Sequence, residues 1–79
     1  MPFVVIEVIS PTQHIQDVLE KATTLVKAGV KSAWTVEPYG RTIFVTTKDG
    51  NNIIHDSVVE AEGIKIDFSK IFRQTDEAI

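Results

Sequence analysis

The chain has 79 residues, 8 basic and 11 acidic side chains, a net charge of −3 and no cysteine. That length allows a single domain, 1–79, and the composition excludes a disulfide staple and a thiolate metal site. With 43% hydrophobic and 24% charged residues the chain is globular, and no apolar run approaches the ~18–20 residues of a membrane span. The apolar stretch from Phe3 to Ile9 lacks a basic lead and a cleavage site, so it is not a signal peptide, which points to a cytoplasmic protein. Residues 1–40 hold three lysines against four acids, and residues 41–79 hold five basic groups against seven acidic ones. Neither half is the basic patch that phosphate contacts require.

Phe3 to Ile9 is β-branched and nearly unbroken, which predicts a central strand covered on both faces. Ser10-Pro11-Thr12 ends it. Thr12 to Ala28 reads as an amphipathic helix, with Ile15, Val18, Leu19, Ala22, Leu25 and Val26 on one stripe. Gly29 stands where a left-handed residue stops the helix, and Val30 is placed to pack back on its last turn. Ser32 to Glu37 is a second strand, so the first 37 residues form a βαβ unit with parallel strands. Pro38-Tyr39-Gly40 turns the chain into a third strand, Thr42 to Thr47, antiparallel to the second. Lys48-Asp49-Gly50-Asn51 is a hairpin turn, followed by a fourth strand over Asn52 to Val59. Ile64, Ile66 and Phe68 alternate with charges in a short edge strand; Ser69 to Phe72 makes one helical turn, and the polar tail 73–79 frays. The expected fold is α/β, a small mixed sheet with a βαβ unit followed by antiparallel strands.

Glu7 is the one charge in its strand, and alternation sets it on the face of Phe3, Val5 and Ile9. An unpaired buried carboxylate costs several kcal/mol, so Glu7 is either near the strand end and paired with a lysine, or functional. His14, Asp17 and Lys21 line one flank of the helix beside its apolar stripe. As a surface feature Asp17 and Lys21 are an i,i+4 ion pair worth about 0.3–0.5 kcal/mol. If that flank faces Glu7, the three form a carboxylate–lysine cluster of the kind magnesium-dependent phosphodiester cleavage uses. His14 and His55 have no zinc spacing, and the serines have no nucleophile context. Trp34, Tyr39, Phe44, Phe68 and Phe72 lack interleaved basic residues and read as core rather than a base-stacking platform.

Four segments, in order, resemble a known family. Pro2-Phe3-Val4-Val5-Ile6-Glu7-Val8-Ile9-Ser10-Pro11 resembles the P-D-L-V-x-E-V-x-S-P signature of the Uma family of putative restriction endonucleases, a branch of the PD-(D/E)XK nuclease superfamily. Asp17-Val18-Leu19-Glu20-Lys21 is similar to its helical D-x-x-x-K. Residues 28–38 resemble its A-G-V-x-E-Y-W-x-V-D-P, with Glu37 where the family has Asp, and residues 64–72 its closing L-x-L-D-L-x-x-L-F.

The resemblance implies a partial restriction-endonuclease-like fold, with Glu7 as strand carboxylate and metal ligand, and Asp17 and Lys21 as the helical catalytic pair. It implies Mg or Mn as the cofactor of an active form, and it alone suggests nucleic acid as a partner. Phe3 occupies the Asp position, which removes a ligand. The match is to the C-terminal half of the family, whose longer members carry a helix and several strands before this point. The expectation is therefore a truncated, inactive relative that needs no cofactor. The alternative is an active magnesium-dependent nuclease whose site is rebuilt at a dimer interface. The strands are apolar on both faces and one helix covers one of them, so a homodimer is expected to bury the remainder.

Overall fold

The computed structural model describes residues 3–77. Val4–Val8 forms β1, Ile15–Lys27 forms α1 and Ser32–Glu37 forms β2; β1 and β2 pair in parallel, with Ile6 beside Trp34. The helix starts three residues later than its sequence suggests, because residues 10–13 close a turn of their own. In that turn the Gln13 amide donates to the Ser10 carbonyl, and the Ser10 amide to the Gln13 side chain. The helix ends as expected. Gly29 takes φ 119°, its amide reaches the Val26 carbonyl, and the Val30 amide reaches back to Leu25, the Schellman arrangement.

Thr42–Thr47 forms β3, antiparallel to β2. A two-residue turn at Lys48 and Asp49 leads into β4, Gly50–Ile54, whose first residue, Gly50, takes a positive φ of 120° just after the turn. The four strands make one sheet in the order β1-β2-β3-β4. The mixed α/β fold thus follows the sequence reading.

Three expectations about the second half of the chain are corrected. The strand read over Asn52 to Val59 is two strands, β4 and β5 (Val58–Ala61), since the chain bends at residues 55–57 and Asp56 takes the Val58 amide. β5 pairs not with the main sheet but with β6, Ile64–Asp67, in a separate two-stranded sheet. The last segment is not one turn with a frayed tail: α2 spans Ser69–Glu77, and residues 78–79 lie outside the described residues. Phe68, Ile71 and Phe72 give this segment an apolar stripe that docks it. At its start the Asp67 carboxylate accepts the Ser69 amide at 2.8 Å. That bond, and a second to the Ser69 hydroxyl, hold its pKa below the ordinary carboxylate value.

The register sorts the sheet into two faces. Ala33 and Thr35 point to α1, which packs on β2 and β3. Trp34, Val36, Ile43 and Val45 point the other way and meet Val59, Phe68 and Phe72 in the main core. β5, β6 and α2 therefore cover the face that was expected to need a second molecule, so no whole sheet face stays bare. What remains exposed is smaller. β1 is not a central strand but an edge, paired among the described residues to β2 alone, and Ile6 and Val8 keep 40% and 43% of their surface.

Candidate functional site

The Glu7 side chain leaves β1 on the α1 side, level with Thr35. One and two turns into the helix, Asp17 and Lys21 share the flank that overlooks it. Lys21 Nζ lies 3.0 Å from Glu7 Oε1 and donates to it. The structure thus pairs Glu7 with the lysine that strand alternation and helix phase single out. Asp17 lines the same cleft, but no ion pair joins it to Lys21 among the described residues. The cleft measures about 290 Å³ and is also lined by Thr12, Gln13 and His14. His14 is the residue just before the helix and makes no side-chain cap. His55 is elsewhere, near Thr42, so the two histidines do not meet. Behind the cleft α1 seats on the sheet with a void of only about 10 Å³, no more than a water's space.

The Lys21 side chain is 64% exposed and that of Glu7 29%, so the pair is well solvated. Such pairs contribute about 0–1 kcal/mol. A Lys21→Met variant should therefore lose no more than about 1 kcal/mol in urea denaturation, with a smaller loss at high salt. A loss of several kcal/mol would mean that Glu7 is held in a much drier setting than this cleft provides.

The donor set does not fit a magnesium centre. Such a centre is held by one or two carboxylates free to face the ion, with waters and substrate phosphate oxygens completing its shell. Among the described residues, no three His, Asp or Glu side chains converge on one point. Phe3, where the family signature has Asp, is a half-exposed aromatic ring. Glu7 is left as a single strand carboxylate, already answered by an ammonium.

Glu37 also has a structural occupation. Its carboxylate accepts the Tyr39 amide at 2.9 Å and the Gly40 amide as well, which closes the β2–β3 turn. Thr12 and Gln13 were missed as cleft residues. Their place immediately before the helix was the available signal, since a loop that enters a helix beside a strand end borders whatever lies there.

Comparison with known proteins bears on the family and the fold. No curated protein matches the chain. A solved structure described as a putative nuclease belonging to DUF820, from Anabaena variabilis, superposes with a TM-score of 0.75 at 19% identity. The match covers 89% of this chain and 43% of that one, so this chain spans less than half the length of its solved neighbour. No helix among the described residues is long and apolar enough to cross a membrane. The family model Uma2, described as a putative restriction endonuclease, matches residues 1–76, and the chain belongs to that family.

Proposed function

We propose that this chain is a non-catalytic member of its nuclease family, a self-associating cytoplasmic domain that binds no catalytic metal. The observation that carries the reading is the failure of the donor set. Phe3 stands at a ligand position, Glu7 is engaged by Lys21 at 3.0 Å, and among the described residues no three His, Asp or Glu side chains gather to hold a metal. Metal-dependent phosphodiester cleavage needs a positioned cation to stabilise the charge on the leaving and attacking oxygens. One ion-paired carboxylate holds a divalent cation poorly.

The test combines calorimetry with an activity assay. Titration with magnesium and with manganese should give no heat of specific binding. Plasmid and single-stranded DNA should survive incubation with the protein and either metal. Cleavage that disappears in both Glu7→Ala and Lys21→Ala variants would overturn the proposal and establish a working site.

A further inference from the structure

We propose that the open edge of β1 is the surface through which two copies of this chain associate, by antiparallel pairing of β1 with its symmetry mate about a two-fold axis at Ile6. This rests on the self-association reading above and names the surface.

The argument begins with the backbone. The Phe3 carbonyl accepts from Lys31 and Ser32, and the Ile9 amide donates to Val36 at 2.9 Å. The odd-numbered residues of the strand therefore turn their backbone groups toward β2. Alternation aims the N–H and C=O groups of Val4, Ile6 and Val8 the other way. Nothing among the described residues pairs with that edge. An edge of this kind is a template for another strand unless the sequence protects it. Here the protection is absent. The strand holds no proline or lysine, and Ile6 and Val8 are among the most exposed large apolar residues. Its one charge, Glu7, is turned to α1 and neutralised by Lys21. The opposite edge of the sheet, β4, begins Gly50-Asn51-Asn52, residue types that pair poorly in strands.

The register follows from the outward groups. In an antiparallel pair, residues that exchange both hydrogen bonds lie directly opposite. Centring on Ile6 sets Ile6 against Ile6 of the partner subunit, and Val4 and Val8 against the partner subunit's Val8 and Val4. All six outward groups on each strand are then satisfied, whereas a two-residue slip leaves some unpaired. The same register lays Val4, Ile6 and Val8 of both copies into one apolar row on the face that carries Trp34 and Val36. On the α1 face, Glu7 falls opposite the partner's Val5 and lies diagonally across from the partner's Glu7, roughly 7–8 Å away. Two carboxylates at that separation need compensation, and the two Lys21 ammonium groups bring the cluster's charge to zero. A register centred on Glu7 would instead set like charges directly opposite, which is unfavourable.

Sedimentation equilibrium at micromolar concentration is expected to give twice the monomer mass of 8.8 kDa. Ile6→Pro removes an outward N–H, and Val8→Lys adds the missing edge charge; each should weaken the dimer by about tenfold or more while leaving the circular dichroism of the monomer intact. The chain has no cysteine, so a nitroxide can be attached at Asn52→Cys on β4 alone. At about 4.8 Å per strand, an eight-stranded joint sheet separates the two labels by roughly 30–35 Å. A monomer at all concentrations overturns both the self-association reading and this surface. A dimer with the labels close together, or one indifferent to both Ile6→Pro and Val8→Lys, overturns this surface and leaves self-association standing.

Discussion

Replacing Trp34 by alanine is expected to cost about 3–5 kcal/mol, most of the total that a chain of this length has, about 4–12 kcal/mol. Trp34 is 1% exposed, on the central strand pair β2–β3. Its ring meets Phe68 edge to face at a centroid distance of 6.3 Å, and its Nε1 donates to the Ser32 hydroxyl at 2.8 Å. The residue thus joins the sheet to the C-terminal layer and satisfies its own polar atom. Alanine would leave a cavity at that junction and strand the Ser32 hydroxyl without its donor. Urea denaturation followed by far-UV circular dichroism measures the loss. A change below about 1 kcal/mol would be incompatible with a fully enclosed indole.

The second large effect is expected at Phe72. It is 3% exposed and belongs to the same core cluster, and α2 brings it there. Phe72→Ala should cost about 3–5 kcal/mol. It should also loosen α2, so that dye binding to exposed apolar surface rises along with the loss of stability. If Phe72→Ala were neutral, the C-terminal helix would not be part of the core, and the second sheet face would need another cover. Since Trp34 and Phe72 share one cluster, the double variant should lose less than the two separate losses combined.

These two residues show where reading the chain stops. The sequence by itself determined the local elements. Ser32–Glu37 and Thr42–Thr47 have the bounds their β-branched and aromatic residues indicate, and Gly29 ends α1 because φ 119° suits only a residue without a Cβ. It narrowed the partner of Glu7 to a candidate: strand alternation sets the face that carries Glu7 and helix periodicity the flank that carries Lys21, while the fold decides that this flank lies over β1. The family was legible for a related reason: its motifs are short runs read in order along the chain.

The tertiary structure alone decided three things. The first is that β1 is an edge. An apolar run records that side chains are covered in part, but whether a strand has one neighbour or two depends on backbone pairing, which side chains do not encode. The second is that β5, β6 and α2 fold over the sheet as a layer. Ile64, Ile66 and Phe72 announce apolar faces, but a periodicity does not say what a face packs against, and that choice is made by the bend at residues 55–57. The third is the occupation of the carboxylates. Glu7 and Glu37 are equally acidic in the sequence, yet one answers an ammonium across the helix and the other closes a turn through two amides. A carboxylate takes the donors that the folded backbone sets within about 3 Å of it, and those distances exist only once the strands and helix have met.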